Sequence, residues 1–260
     1  MQTDKQPELL VETRPESKIA ILTLNRPDKR NAFNASLLST LTETITRLDD
    51  DPTVRAMVLT GTGKVFCAGM DLAEFAGGDG EKIIFDGGIL DLVRRERRTP
   101  VIAAVRGAAL AGGFEIMLAC DLAVGADDAR FGLPEAAIGL IAGAGGVAHL
   151  PTRIPAALAR EILLTGAPIT ARRAYEAGLV NRIAPADDVL PTAIALAEQI
   201  AANAPLAVAA TMRVIHHAIT GSADLNHIND EELRGLMRSN DANEGARSFT
   251  GRRKPQWTGT

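Results

Sequence analysis

Two glutamates, Glu115 and Glu135, stand inside the apolar, glycine-rich stretch of residues 105–146 (VRGAALAGGFEIMLACDLAVGADDARFGLPEAAIGLIAGAGG). Desolvating an isolated carboxylate costs on the order of several kcal/mol, so such a group is ordinarily paired, protonated or in use. Two of them in one such stretch point to acid–base chemistry, one taking a proton while the other gives one. A structural reading stands beside it. Glu115 falls at the start of a helix after Gly113, and Glu135 follows Pro134, where proline favours the first helical position and a negative charge complements the helix dipole.

Two glycine-containing turns could supply the electrophilic half of a site. Residues 65–72 (VFCAGMDL) follow a strand and a GTG turn. Small residues there let a ligand approach the backbone, so the N–H of Ala68 can point at a polarised oxygen; a plain strand-to-helix turn is the alternative. Ala111-Gly112-Gly113 opens a helix after another strand, where unpaired N–H groups converge, and Gly112 is the natural second donor. Two amides aimed at one carbonyl oxygen form an oxyanion hole, in which losing one donor costs roughly 3–4 kcal/mol in other enzymes. The four histidines, His149, His216, His217 and His227, lack metal-site spacing, and no metal is expected.

Positioning these residues requires a regular alternation of strands and helices. Residues 18–24, 56–60, 101–105 and 122–125 read as strands, and residues 36–50, 113–119, 155–165, 171–177 and 187–203 as helices. Beyond Pro205 the periodic segments are helical, which sets a soft boundary near residue 200 between an α/β core and a helical C-terminal element.

At 260 residues and 46% hydrophobic content the chain can bury a full core. A net charge of −4 gives no global attraction for nucleic acid or anionic lipid. Arg94, Arg95, Arg97 and Arg98 read as a solvated helix face, with an anion contact as the alternative. The apolar region 101–126 is interrupted by Arg106, Glu115 and Asp121, short of the roughly 18 uninterrupted apolar residues of a membrane helix. The opening residues carry no apolar core of secretory length, and Cys67 and Cys120 sit in apolar runs as small core side chains; a cytoplasmic protein is expected.

Six segments in order resemble the enoyl-CoA hydratase/isomerase, or crotonase, family. They are NRPDKRNAFN (residues 25–34), FCAGMDL (66–72), GAALAGGFEIMLACDLAVGADDARFGLPEAAIGL (107–140), GAGG (143–146), LTGAPITARRAYEAGLVNRI (164–183) and EGARSFTGRRKPQW (244–257). The resemblance covers nearly the whole chain. It implies an α/β fold, a crotonase-type spiral of repeated ββα units over residues 1–200 with a helical C-terminal trimerisation element over 201–260, assembled as a trimer or a dimer of trimers. It further implies a coenzyme A thioester as substrate, with no separate cofactor, its oxygen bound by the amides of Ala68 and Gly112.

Both glutamates of the family's hydratases are present, as Glu115 and Glu135. The expected reaction is reversible hydration of a trans-2-enoyl-CoA to a 3-hydroxyacyl-CoA, with Glu115 activating water and Glu135 serving the α-carbon, roles that can be shared. Isomerisation of the double bond and dehydration of a specialised hydroxyacyl-CoA use the same oxyanion donors and remain alternatives. A non-catalytic acyl-CoA binder or an RNA-binding protein is a more distant one. For the coenzyme A end the resemblance implies Lys29, Arg30, Ala32, Met70, Asp71, Leu72, Phe249 and Lys254, with the C-terminal pair reaching a neighbouring subunit's substrate. One departure is Ala142, where the family often carries proline before GAGG. The segment 74–92, where members of the family vary most, reads as a mobile lid over the acyl group.

Overall fold

The computed structural model describes residues 6–85 and 87–260. The chain begins with an antiparallel pair, β1 (Leu9–Arg14) and β2 (Ile19–Leu24). Helix α1 (Ala35–Asp50) follows, capped by Asn34, whose side chain accepts from the Leu37 N–H at 2.8 Å. Its Leu37, Leu38, Leu41, Ile45 and Leu48 are buried as one stripe, the spacing that marks this helix in the sequence. After β3 (Ala56–Gly61) come three short helices, α2 (Leu72–Glu74), α3 (Gly80–Ile84) and α4 (Ile89–Arg94).

The next segments repeat one pattern: a strand, a shorter strand, a helical turn. β4 (Val101–Val105) leads to β5 (Ala108–Leu110) and α5 (Gly112–Ala119). β6 (Leu122–Ala126) leads to β7 (Arg130–Gly132) and a 3-10 turn, Pro134–Ile138. Earlier in the chain, β3 is followed by Cys67, which bridges Ala109 of β5, and then by α2. The first strand of each repeat belongs to a six-stranded sheet, β1-β2-β3-β4-β6-β9, parallel except for β1, and the second to another sheet, β5-β7-β8. β4 is fully buried, as an apolar run without alternation demands of a central parallel strand.

The remaining elements are α6 (Gly146–Arg153), α7 (Ala156–Thr165), β8 (Ile169–Thr170), α8 (Ala171–Glu176), β9 (Arg182–Ala184) and α9 (Val189–Ala201). α9 lies on β3, β4 and β6, and its Ala193, Ala197 and Ala201 let it approach the sheet closely. α10 (Pro205–Thr220), α11 (Leu225–Met237) and α12 (Asn240–Thr250) pack mainly on one another. α10 buries only Ala210 and α11 buries no residue.

Every strand and helix expected from periodicity forms, with ends moved by a few residues. The arginine cluster is not a uniformly solvated face. The Arg97 side chain is 8% exposed, donates to the Ala119 carbonyl at 2.7 Å and pairs with Asp121 at 3.4 Å, while Arg98 pairs with Asp50. Cys67 and Cys120 are buried, and burial pushes both thiols up to about 12, which suits inert core side chains.

Candidate active site

Strand register decides which amides meet. Cys67 pairs with Ala109, and Ala109 with Phe131. Three residues beyond each member of that row stand Met70, Gly112 and Pro134, the last two just past the ends of β5 and β7. Met70 and Gly112 therefore occupy matching places in successive repeats. Gly69 lies against Gly112: a Cβ added at Gly69 would sit 3.2 Å from the Gly112 nitrogen and 2.8 Å from the Ala111 Cβ, and Gly69 has a φ of +98°. Only glycine takes this turn without strain.

The Ala68 N–H, expected as the first oxyanion donor, is bonded to the Arg30 carbonyl at 3.0 Å and is not free for a ligand. The correction is a shift of two residues. Among the described residues the Met70 N–H has no acceptor in the protein, although its neighbours are held: Phe33 donates to Gly69 and Asp71 donates to Phe33, both at 2.9 Å. Gly112 begins α5, where the first amides of a helix have no intrahelical partner. Met70 and Gly112 are thus, among the described residues, two amides left without a protein acceptor on either side of the Gly69 turn.

Glu115 projects from the first turn of α5 and is 4% exposed; Glu135 lies in the 3-10 turn after Pro134 and is 7% exposed. Burial pushes Glu115 up to about 7, opposed by the Gly146 N–H, which donates to its Oε1 at 2.9 Å, and reinforced by the negative charge of Glu135. Burial also raises Glu135, and its Oε2 is buried without a hydrogen-bond partner. The two carboxyls feel each other's charge and titrate as a coupled pair. Gly146 cannot carry a side chain here: a Cβ would lie 2.6 Å from that of Ala142 and 3.2 Å from Glu115 Oε1. Buried Ala142 thus packs behind the Glu115 hydrogen bond.

Of the residues expected at the coenzyme A end, Lys29, Arg30, Ala32, Met70, Asp71 and Leu72 gather on two loops stitched together beside Gly112. Lys29 and Arg30 are exposed, and Leu72 is exposed on α2. Of the backbone groups expected to contact coenzyme A, the Ala32 N–H is bonded to the Lys29 carbonyl and the Asp71 N–H to the Phe33 carbonyl, while the Asp71 carboxylate accepts from Ala73 N–H and pairs with Arg26. Phe249 on α12 is 86% exposed, and no hydrogen bond or ion pair joins Phe249 or Lys254 to the glutamates among the described residues. Lys254 instead borders a polar cleft of about 660 Å³ on α12, with Arg247, Arg253 and Glu244. Arg26 and Asn31, both within NRPDKRNAFN, hold the loop, and no local pattern in the sequence marks them for it.

Residues 14–260 match the family model described as Enoyl-CoA hydratase/isomerase. A carnitinyl-CoA dehydratase from Proteus mirabilis is 39% identical over 253 residues, covering 92% of this chain and 94% of its own length. The enoyl-CoA hydratase EchA19 of Mycobacterium tuberculosis is 38% identical over 261 residues, covering 96% of each. A crystal structure of an enoyl-CoA hydratase from the same species superposes with a TM-score of 0.93 at 47% identity, over 98% of this chain and 100% of that one.

Proposed function

The chain belongs to the enoyl-CoA hydratase/isomerase family, and from that premise we propose that it reversibly adds water to a trans-2-enoyl-CoA to give a 3-hydroxyacyl-CoA. The observation that carries this reading is a pair of buried carboxyls, Glu115 one turn along the helix that Gly112 opens and Glu135 in the 3-10 turn of the next repeat, close enough that the charge of Glu135 raises Glu115. The thioester oxygen accepts from the N–H groups of Met70 and Gly112. Negative charge that gathers on it during attack at the β-carbon is stabilised by donors already oriented, the arrangement in which electrostatic catalysis is strongest.

The carboxyl pair supplies the proton inventory. One member, ionised, takes a proton from water as its oxygen bonds to the β-carbon; the other, protonated, gives a proton to the α-carbon. The site ends with one proton on the pair, as it began. The Gly146 N–H suits Glu115 to hold water as the ionised member and the partnerless Oε2 of Glu135 is left for the proton, but burial and the Glu135 charge push Glu115 the other way, so the one proton is shared between the two. Run backwards, the same steps dehydrate a hydroxyacyl thioester. The similarity to a carnitinyl-CoA dehydratase keeps a specialised hydroxyacyl group as the second reading.

Coenzyme A is part of the substrate, its phosphates lying beside the exposed Lys29 and Arg30. The subunit assembles as a trimer or a dimer of trimers through α10–α12, and Phe249 and Lys254 reach a neighbour's substrate. Incubation with crotonyl-CoA and longer or branched enoyl thioesters tests the reaction: loss of the enoyl ultraviolet absorbance is expected. No turnover across the panel, and none in reverse from hydroxyacyl thioesters, would remove both readings.

A further inference from the structure

The amide of Met70 is set by a loop rather than by its own strand. Ala68 donates to Arg30, Phe33 donates to Gly69 and Asp71 donates to Phe33, so residues 30–33 form a mould along both sides of the Met70 N–H. The loop is itself held in a rarely populated backbone shape, with Arg30 and Asn31 at φ of 52° and 55°. Asn31 is fully buried; its side chain accepts from the Arg26 N–H at 2.9 Å and donates to the carbonyls of Thr62 at 2.9 Å and Val65 at 2.7 Å.

At the centre lies the Arg26 guanidinium, 11% exposed. Its Nη1 donates to the Ala32 carbonyl at 2.5 Å and its Nη2 to Asp71 Oδ2 at 3.1 Å, with Glu74 and Glu8 oxygens each 3.5 Å away. One planar cation therefore joins the loop to the residue that follows Met70. We infer that Arg26 is a positioning residue for the reaction: by clamping Ala32 to Asp71 it fixes the Met70 N–H on the thioester oxygen. This rests on the amide-pair reading proposed above.

Two physical effects give the inference its content. A guanidinium presents several donors in a rigid fork, whereas a lysine ammonium at the same place is a single point that cannot hold the Ala32 carbonyl and the Asp71 carboxylate in the same geometry. Charge is the second effect. Asp71 is 7% exposed and lies one residue from Met70. Without Arg26 its negative charge would be buried unpaired beside the oxygen on which the enolate charge develops. Both effects act more on the transition state than on substrate binding, so kcat is the sensitive quantity.

The test uses Arg26→Met, Arg26→Lys and Asp71→Asn in the full-length protein. Each variant is measured for thermal unfolding, for kcat and KM with crotonyl-CoA, and for the visible absorbance shift of bound 4-dimethylaminocinnamoyl-CoA, which reads how strongly the thioester carbonyl is polarised. Arg26→Met is expected to lower kcat roughly 100-fold, with KM within about threefold, and to shrink the red shift of the bound chromophore. Arg26→Lys should fold and recover only part of both. A folded Arg26 variant with wild-type kcat and red shift overturns the inference. So does a loss of activity that merely follows the folded fraction while the shift per bound ligand stays unchanged. If Arg26→Met does not fold, Arg26→Lys and Asp71→Asn carry the comparison. Wild-type protein that binds the chromophore without any shift would instead remove the amide pair, while a normal wild-type shift with unaltered variants removes Arg26 alone.

Discussion

Burial holds the Glu115 carboxyl at about 7, against 4.5 for an unhindered glutamate. A carboxyl raised in the folded state favours folding fully only below the unfolded value; the benefit is lost as pH rises through 4.5 to about 7. At 1.36 kcal/mol per unit the loss is about 3 kcal/mol, an upper figure for a group whose titration is coupled to Glu135. Glu115→Gln keeps the shape and an oxygen for the Gly146 N–H while removing the buried charge. It should therefore raise the unfolding free energy at pH 8 by about 1–3 kcal/mol, with the gain fading toward pH 4.5, and lower turnover by about two to four orders of magnitude. Denaturant melts at the two pH values check this. A destabilised Glu115→Gln at pH 8 would mean that the carboxylate is better solvated than its burial implies. Glu135→Gln should lower turnover by a similar factor while leaving coenzyme A affinity largely intact.

At the scale of elements, the entry to α5 stores strain. Ala111 precedes the helix at φ 49° and ψ −134°, a backbone shape that suits glycine, and its Cβ occupies the space a side chain at residue 69 would need, 2.8 Å from where a Cβ there would sit. Holding a non-glycine residue there costs about 1–3 kcal/mol, so Ala111→Gly should stabilise the protein by roughly 1 kcal/mol, less what glycine gains in unfolded-chain entropy. Gly69→Ala meets both the positive φ and the Ala111 Cβ and should be strongly destabilising. In the double variant only the steric part should be relieved. Thermal melts of the three proteins decide it; full rescue by Ala111→Gly would show that φ at residue 69 carries no cost.

The same elements show what the sequence makes legible. β4 and α1 stand out because each carries one uninterrupted period over its length. β1 does not, since only Leu9 of LLVETR is buried and no alternation survives on an exposed edge. β5, β7 and β9 are three residues long, too short for any period. Glu115, Glu135 and Gly112 were readable as a carboxyl pair and a helix-opening donor because their chemistry conflicts with their apolar surroundings. Met70 was not readable as a donor: choosing it over Ala68 depends on the pairing of Cys67 with Ala109, a contact across 42 residues that leaves no local trace.

For the whole molecule, the outer helices pose the remaining physical question. Ile215 and Ile219 on α10, Leu233 and Met237 on α11 and Phe249 on α12 are 48%, 55%, 53%, 70% and 86% exposed, on helices that bury almost nothing of their own. Single exposed apolar residues are ordinary, but a set of this size on three consecutive helices costs solvation unless it is covered. Covering by copies of the same subunit would account both for these residues and for Phe249 and Lys254, which among the described residues make no polar contact with Glu115 or Glu135. On the trimer or dimer-of-trimers reading proposed above, light scattering on the wild-type protein should give three or six times the chain mass. Met237→Glu or Ile219→Glu should shift that distribution toward smaller species. If Phe249 and Lys254 serve a neighbour's substrate, dissociation should raise KM several-fold more than it lowers kcat, because coenzyme A contacts far from the reacting carbons contribute mainly to binding. A wild-type protein that is monomeric at micromolar concentration yet fully active would remove the shared-site reading and leave the C-terminal helices as a surface of a single chain.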